Sequence, residues 1–243
     1  MIPVKKILVT GGNGYVGNYI LKTMAQKHPE VQLIGMSRRG TPREGDNEVK
    51  SLPNVSFIKG DCLAPETFKQ NLEDVDAVIH TVGVLFDSND PNRGYRAMNR
   101  DAAVNMAREL NAHAQAQNQQ RNFVMLGSEK SLPFAQDYLR YKIEAEDYIQ
   151  AECKNLKPCL LRPGFIYNFQ HRSWSMPLAL GCNLSYWIGT HLVKPLPIVG
   201  PATDFLFPAK SVTLEKVAHW AIKGAMGQCD TPVVRNDKLI NHE

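Results

Sequence analysis

Close to its beginning the chain reads Val9-Thr10-Gly11-Gly12-Asn13-Gly14-Tyr15-Val16-Gly17, directly after the apolar run Ile7 to Val9. Gly12 permits a tight strand-to-helix turn, Gly14 lets backbone amides approach a phosphate, and Gly17 permits close packing of helix on strand. The apolar residues that follow at helical spacing are Val16, Ile20, Leu21, Met24 and Ala25. This strand–loop–helix pattern predicts a dinucleotide pyrophosphate site at a helix N-terminus, whereas the alternative is a chance glycine turn.

Apolar runs alternate with helical patterns over most of the chain. The runs lie at Lys6–Val9, Val31–Met36, Val55–Ile58, Val75–Ile79, Asn122–Leu126 and Pro158–Leu161, and helical spacing occurs at Gly14–Lys27, Pro65–Leu72, Tyr95–Gln117 and Asp137–Glu152. Repeated βα units predict an α/β fold with a doubly wound parallel sheet of Rossmann type. We expect the nucleotide-binding core over residues 1–170. A small C-terminal cap or partner-contact region, with a closing helix near Thr213–Met226, is expected over residues 171–243.

Composition narrows the class of protein. A chain of 243 residues can bury one sizeable core, and a formal charge of +4 without a dense basic run argues against nucleic acid as a partner. Five cysteines without a Cys-x-x-Cys pair suggest neither a disulfide framework nor a zinc site, which fits a reducing compartment. His113, His171, His191 and His219 lack ligand spacing, so no metal is expected. The first strand starts near Val4, which leaves no space for a cleavable presequence in this chain.

The end of the second predicted strand concerns the choice of cofactor. In dinucleotide folds an acidic residue here binds the ribose hydroxyls of NAD(H), whereas an arginine accommodates the 2′-phosphate of NADP(H). The strand ends Met36-Ser37-Arg38-Arg39, without a carboxylate. This favours NADP(H) over NAD(H), with Ser37, Arg38 and Arg39, and also Arg43, as candidates for the phosphate. The alternative is that these arginines only make a loop soluble.

Two more strand ends are expected at the same edge of the sheet. In Gly60-Asp61-Cys62, the Asp61 carboxylate is predicted beside the adenine amino group, with Cys62 next to it, or else as the cap of a following turn. The fourth strand ends His80-Thr81-Val82-Gly83, which places Thr81, Val82 and Gly83 beside the cofactor.

Tyr138 and Lys142 are four residues apart and therefore share one helix face. An adjacent ammonium favours phenolate, so this spacing predicts a lowered pKa for Tyr138, which would then act as a general acid or base during hydride transfer. Ser128, at the end of the fifth strand, is a candidate to hydrogen-bond the substrate oxygen or, alternatively, to cap a turn. Asn99 is a candidate orienting group, although a solvated asparagine is the simpler interpretation. For Tyr138 and Lys142, the alternative interpretation is an ordinary Tyr–Lys pair on the protein surface.

The stretch Trp174 to Pro201 mixes aromatic residues, prolines and aliphatic residues. Asn183, His191, Lys194, Pro195 and Pro197 interrupt it too often for a transmembrane helix. The aromatic residues Trp174, Tyr186 and Trp187 suggest peripheral contact with a membrane surface or a larger assembly. The simpler interpretation is a helical cap over the cofactor cleft.

Together, the glycine loop, the Tyr138/Lys142 pair and Leu161-Arg162-Pro163-Gly164-Phe165-Ile166-Tyr167 resemble the atypical, extended-type short-chain dehydrogenase/reductase superfamily. Segments such as Ser128–Pro133 are similar to a mitochondrial branch that includes a coenzyme Q biosynthesis subunit and an accessory subunit of respiratory complex I. The resemblance implies a Rossmann domain that binds NADP(H). It implies Gly11, Gly12, Gly14 and Gly17 on the pyrophosphate, Tyr138 and Lys142 near the nicotinamide ribose, and Pro163 and Gly164 along the nicotinamide side.

The same resemblance implies a function. It points to an accessory protein with protein partners in a respiratory (complex I-like) or coenzyme Q assembly, on the matrix side of the mitochondrial inner membrane, with a largely structural nucleotide. The alternative is an active NADP(H)-dependent oxidoreductase with Tyr138 as proton donor, Lys142 as its electrostatic support and Ser128 as substrate clamp. Its substrate would be a quinone-related or other apolar carbonyl compound. A nucleotide-sensing regulator is a third hypothesis. Ser128 precedes Tyr138 by only ten residues, fewer than extended members generally have, so the serine position departs from the pattern of these members.

Overall fold

The computed structural model describes residues 4–43, 45–88, 90–131, 135–168, 175–195 and 207–241. The strands are β1 (Lys6–Thr10), β2 (Gln32–Ser37), β3 (Val55–Lys59), β4 (Ala77–His80), β5 (Arg121–Leu126), β6 (Leu156–Arg162), β7 (Ile166–Tyr167), β8 (Val212–Thr213) and β9 (Val233–Arg235). Within the described residues, seven of them form a parallel sheet in the order β3-β2-β1-β4-β5-β6-β9, and β7 pairs with β8 separately. The strand order changes direction between β1 and β4. This confirms the predicted Rossmann-type α/β fold, in which ligands bind outside the carboxyl ends of the strands at the switch point.

Helices connect these strands. They are α1 (Tyr15–Lys27), α2 (Asn47–Lys50), α3 (Ala102–Ala116), α4 (Gln136–Glu152), α5 (Ser175–Ile188), α6 (Leu214–Ala225) and α7 (Asn236–Asn241). Two π-helical segments, Ala97–Asp101 and Gly189–Val193, precede α3 and follow α5. The predicted helix Pro65–Leu72 is instead a pair of 3₁₀ turns, Pro65–Thr67 and Lys69–Leu72. Phe68 separates them, because its backbone leaves the helical region with a φ of −138° while its ring is buried.

Apolar side chains cover both faces of the sheet. On one face, Ile7 and Val9 of β1 pack with a cluster that includes Ile20 and Leu21 of α1 and Val217 of α6. On the other face, residues of β1, β4, β5 and β6 pack with α3 and α4, and this cluster includes Leu8, Val78, Phe123, Leu160, Met106 and Ile149. Burial on both faces explains why the strands read as continuous apolar runs rather than as alternating ones.

The C-terminal part of the chain completes this core. Helix α6 packs on α1, β5 and β6, and β9 extends the main sheet next to β6. The strand β9 was not predicted because Val233-Val234-Arg235 is too short to show a period. Residues Trp174 and 196–201 of the predicted partner region lie outside the described residues. Among the described helices, none is both long and apolar enough to cross a membrane.

The third glycine of the loop is a sensitive point of this fold. A Cβ built on Gly17 would lie 2.4 Å from the Gly11 carbonyl oxygen. We expect Gly17→Ala to lower the free energy of unfolding by about 3 kcal/mol, because backbone must move to make room. Urea denaturation measures this change. Gly181→Ala is the matched control, since nothing lies within 4 Å of its built Cβ and alanine favours a helix interior. An unchanged Gly17→Ala protein would show that α1 can shift freely.

Candidate functional site

A cavity of about 350 Å³ opens at the carboxyl ends of β1 to β4. Most of the predicted cofactor residues line it, namely Gly11, Asn13 to Val16, Ser37 and Arg38, Asp61 and Cys62, and Thr81 to Gly83. Predicted cofactor residues that are not among its lining residues are Gly12, Gly17, Arg39, Tyr138, Lys142, Pro163 and Gly164, and Arg43 is not among them either. The topology thus brings the ends of four separate strands together around one space.

The glycine loop shapes this cavity through backbone contacts. Gly11 has a φ of +69°, a conformation that favours glycine, and its carbonyl accepts a 2.7 Å hydrogen bond from the Gly14 amide. The Gly12 amide donates to the Met36 carbonyl at 3.1 Å, and a Cβ on Gly12 would lie 2.7 Å from the Cα of Gly35. Gly12 and Gly17 therefore stand behind the loop and allow it to pack.

The first turn of α1 points into the same cavity. Helix α1 begins at Tyr15 with Gly14 as N-cap, and no side chain caps its amides. Unsatisfied amides and the positive end of the helix dipole suit an anion such as a pyrophosphate. The cradle therefore fits the pyrophosphate of a dinucleotide, because the uncapped first turn of α1 and the loop residues Gly11, Asn13 and Gly14 line the same space.

Arg93 enters the cavity from the loop after β4. Its Nη2 donates a 2.7 Å hydrogen bond to Oδ2 of Asp61, while its Nη1 is buried without a hydrogen-bond partner. Burial acts to raise the pKa of Asp61, but the bond and charge of Arg93, the Leu63 amide and the charge of Arg38 together lower this pKa. The Leu63 amide bond, 3.1 Å, also makes Asp61 the cap of its turn.

Sequence reasoning missed Arg93, because an arginine in the segment Pro91–Arg93 carries no motif. Its presence changes the charge of the site. Among the described lining residues, Arg38 and Arg93 are the cations and Asp61 is the anion. Arg93 neutralises Asp61, so the charge of Arg38 is left for a ligand.

Two titratable groups adjoin the cavity in their neutral forms. Burial, with a smaller contribution from the charge of Lys142, lowers the pKa of His80 to about 3. Its Nδ1 lies 3.0 Å from the Thr10 hydroxyl oxygen. Burial, together with the charge of Asp61, raises the pKa of Cys62 to about 12. At neutral pH neither side chain is charged, so Cys62 is not a reactive thiolate.

Ser128, Tyr138 and Lys142 form a second group, beyond β5. The Ser128 hydroxyl donates to the Lys130 carbonyl at 2.8 Å and lies near enough to Tyr138 to act on the pKa of its phenol. The Nζ of Lys142 lies 5.7 Å from the centre of the Tyr138 ring. The structure therefore brings the three residues together, although fewer residues separate Ser128 from Tyr138 than is usual in extended members.

The predicted lowering of the Tyr138 pKa is wrong. Burial raises the pKa of Tyr138, and Tyr95 adds to this against the hydrogen bond with Ser128. The ammonium of Lys142 does not bring the pKa down, because it is buried and donates instead to the Leu126 carbonyl at 2.6 Å. Burial lowers the pKa of Lys142 itself to about 8, against the opposing charge of Glu146. Tyr138 therefore keeps its proton at neutral pH.

Asn99 is buried, so its interpretation as a solvated asparagine is also wrong. It lies in the π-helical segment Ala97–Asp101 and pairs with the backbone of Val84. Its Nδ2 donates to the Val84 carbonyl at 3.0 Å, and its Oδ1 accepts from the Val84 amide at 3.1 Å. A Cβ on Gly83 would lie 2.9 Å from Asn99 Oδ1 and 3.1 Å from Lys142 Nζ. Gly83 is thus the point where the cavity meets the second group.

A buried ion pair supports Lys142 from one helical turn further along α4. Arg162, at the end of β6, donates to Oε2 of Glu146 from both Nε, at 2.8 Å, and Nη2, at 2.5 Å. Gly127 makes room for this carboxylate, since a Cβ there would lie 2.3 Å from its Oε1. Sequence reasoning missed this pair, although its spacing of one turn from Lys142 was visible.

Pro163 and Gly164 lie on the same side of the sheet as Ser128. The Pro163 carbonyl accepts from the Glu129 amide at 3.0 Å, and the Gly164 amide donates to Oδ1 of Asn236 at 2.8 Å. A Cβ on Gly164 would lie 2.2 Å from the Lys210 carbonyl oxygen. These two residues therefore join β6 to the C-terminal segments.

The sequence of the chain is similar to those of known nucleotide-dependent proteins and of one component of a complex. The sequence profile of the NAD dependent epimerase/dehydratase family matches residues 7–167. MIOREX complex component 2 of Saccharomyces cerevisiae is 23% identical over 214 residues, which cover 71% of this chain and 76% of that protein. Eugenol synthase 1 of Petunia hybrida is 35% identical over 88 residues, which cover 35% of this chain and 28% of that enzyme.

Solved structures show the same fold. A short-chain type dehydrogenase/reductase from Mycobacterium ulcerans superposes with a TM-score of 0.64 at 16% identity, over 96% of this chain and 87% of that one. The Bordetella bronchiseptica enzyme WbmH in complex with NAD⁺ superposes with a TM-score of 0.61 at 18% identity, over 92% and 72% of the two chains. With the glycine loop and its cavity, these findings show that the chain binds a nicotinamide dinucleotide and belongs to the NAD dependent epimerase/dehydratase family of extended short-chain dehydrogenases/reductases.

Proposed function

We propose that this protein is an NADP(H)-binding accessory protein of a respiratory (complex I-like) or coenzyme Q assembly at the mitochondrial inner membrane, on the matrix side. In this role the nucleotide is largely structural. The observation that carries the proposal is that the residues lining the cavity and the group of Ser128, Tyr138 and Lys142 are different sets, which adjoin at Gly83. The cavity lies among the ends of β1 to β4, and no described residue from β5 onward lines it.

The second group supports a structural role by its internal bonds. Lys142 of α4 is buried and donates to the Leu126 carbonyl of β5, and Tyr138 of α4 lies beside Ser128. These contacts hold the end of β5 to α4. A nucleotide in the cavity then stabilises the folded chain by mass action, whether or not hydride is transferred. The name of the yeast relative, a component of a complex, supports membership of an assembly, and the family resemblance supports a mitochondrial location.

The electrostatics of the cavity support NADP(H) as the cofactor. Arg38 lines the cavity at the end of β2, where no carboxylate competes for the ribose. Because Arg93 neutralises Asp61, a 2′-phosphate near Arg38 would meet a net positive surface. Arg39 and Arg43 do not line the cavity and have no part in this proposal.

The alternative function, an active NADP(H)-dependent reductase, is favoured by one observation. Because its raised pKa keeps Tyr138 protonated at neutral pH, this residue can donate a proton rather than accept one, and Ser128 lies beside it. Bound NADPH supplies hydride in such reactions. Tyr138 would protonate the carbonyl oxygen of a quinone-related or other apolar substrate, and Ser128 would bind the same oxygen. Lys142, behind Gly83, would hold its charge near both.

Cofactor selectivity tests the role of Arg38. We expect the purified protein to bind NADPH more tightly than NADH by isothermal titration calorimetry. Arg38→Ala is expected to lower the NADPH affinity about tenfold or more, since a hydrogen bond to a charged group contributes roughly 1.5–3 kcal/mol. Arg39→Ala is the matched control and is expected to bind as the unmodified protein does. Equal affinities for NADPH and NADH would contradict the assignment.

Tyr138→Phe separates the two functions. If the protein is an accessory subunit, the variant is expected to comigrate with the same large assembly on native gels of gently solubilised mitochondria, with unchanged NADPH affinity. Mass spectrometry identifies the comigrating proteins, and Tyr141→Phe is the control on the neighbouring position. A variant that binds NADPH normally but loses about a hundredfold or more of a measured turnover would support the reductase instead.

The burial of Lys142 predicts a pH dependence. Its pKa is about 8 in the folded chain and 10.5 ordinarily, so at pH values between these the unfolded chain binds a proton that the folded chain lacks. The folded chain with charged Lys142 is thus penalised at neutral pH, and the penalty disappears as the pH rises. We expect the free energy of unfolding of the unmodified protein to rise, relative to Lys142→Met, between about pH 8 and about pH 10. Parallel urea-denaturation results for both proteins would refute the shifted pKa.

A further inference from the structure

Helix α5 carries an apolar stripe that faces solvent. Leu180, Leu184 and Trp187 are spaced four and three residues apart, so they lie on one side of the helix. Their exposed fractions are 72%, 58% and 50%, which is unusual for residues of this kind. We refer to these three residues as the outer stripe.

Bonds from Ser211 anchor α5 to the protein, so the orientation of the outer stripe is fixed. Ser211, next to β8, donates through its hydroxyl to the Ala179 carbonyl at 3.2 Å and through its amide to Oδ1 of Asn183 at 2.8 Å. Gly189, in the π-helical turn after α5, packs so closely on the Phe207 ring that a Cβ would lie 2.5 Å from it. The three side chains of the outer stripe therefore face solvent because of how α5 is packed on the protein.

The segment lacks the charges that a surface helix normally carries. No Asp, Glu, Lys or Arg occurs between Ser175 and Val193. A helix of 14 residues is about 21 Å long, which is shorter than the roughly 30 Å hydrocarbon core of a bilayer. Such a helix can lie along a membrane surface but cannot cross it.

A second cavity, of about 550 Å³, adjoins the end of this segment. It is lined by Tyr186, Thr190 and Lys194 from the segment, and by Lys210 and Arg235 from the C-terminal part. Among its described lining residues, Lys130, Lys194, Lys210 and Arg235 outnumber the acidic Glu129 and Asp237. Arg235 lies 3.6 Å from Glu129, whereas neither Lys194 nor Lys210 makes an ion pair with a described residue. Both lysines are thus left for an anionic ligand.

We propose that the outer stripe rests on a bilayer surface and that Lys194 and Lys210 bind the phosphate of an anionic phospholipid in the second cavity. This inference rests on the proposed place at a membrane assembly. Two features match a lipid surface rather than a protein partner. The segment from Ser175 to Val193 has no Asp, Glu, Lys or Arg, so it offers no charged rim to a protein partner. Trp187, stacked on His191 at 5.3 Å, presents the kind of amphipathic ring found at membrane interfaces.

Vesicle sedimentation with the full-length protein tests the proposal. We expect the protein to sediment with vesicles of phosphatidylcholine and phosphatidylglycerol, and more weakly with phosphatidylcholine alone. Leu184→Gln/Trp187→Gln should reduce partitioning at least tenfold on both vesicles. Lys194→Gln/Lys210→Gln should reduce it about fivefold per lysine on the anionic vesicles only. Phe86→Gln is the matched control, because Phe86 is 71% exposed on the loop after β4, and its partitioning should not change.

Several results would overturn the proposal. One is absence of sedimentation with anionic vesicles, and another is equal partitioning of all variants. A third is a dimer in sedimentation velocity that Leu184→Gln/Trp187→Gln dissociates while no vesicle binding occurs, because the stripe would then meet a second copy of the chain. NADPH affinity is measured on the same samples. If the protein binds NADPH but not vesicles, only the proposed lipid contact is wrong. If the unmodified protein does not bind NADPH, the proposed function is wrong.

Discussion

The close approach of backbone to backbone around the glycine loop is the constraint on which the rest of the structure depends. Gly12 touches Gly35 of β2, and Gly17 of α1 lies against the carbonyl of Gly11, where side chains would not fit. Because these contacts are tight, α1 starts close to the switch point between β1 and β4, and its first turn, which no side chain caps, faces the cavity. A looser loop would leave the same sheet without an anion site.

The second half of the site is organised by buried charges instead. Lys142, Glu146 and Arg162 lie together between α4 and β6, where Glu146 is the one carboxylate of the three and its removal would leave two cations without their counter-charge. Such an ion network costs desolvation but allows few arrangements. It holds Lys142 against the Leu126 carbonyl, and this explains why Tyr138 gains nothing from its neighbour. Contacts within the fold therefore determine the position of Lys142, whether or not the residue also takes part in catalysis.

Sequence reasoning could predict the sheet and the glycine loop because both are local patterns. Apolar runs of strand length and glycines at fixed spacing are visible without knowing which strands pair. It could not find Arg93, whose partner Asp61 is distant in sequence, nor the pairing of Glu146 with Arg162 across two elements. The Tyr138 pKa was mispredicted for the same reason, since helical spacing reveals a neighbour but not burial. The short strand β9 offers too few residues for any period.

The nucleotide site and the outer stripe are physically linked through one series of packed elements. Helix α5 is held by Ser211 and Phe207, which lead directly into β8 and α6. Residues Val212 and Val217 of that segment share a core cluster with Ile20 and Leu21 of α1, the helix whose N-terminus faces the cavity. A ligand that binds only the folded chain stabilises every element whose packing depends on that fold. Dinucleotide binding at the carboxyl ends of the strands therefore stabilises the packed elements that hold α5, although the dinucleotide and α5 need not touch.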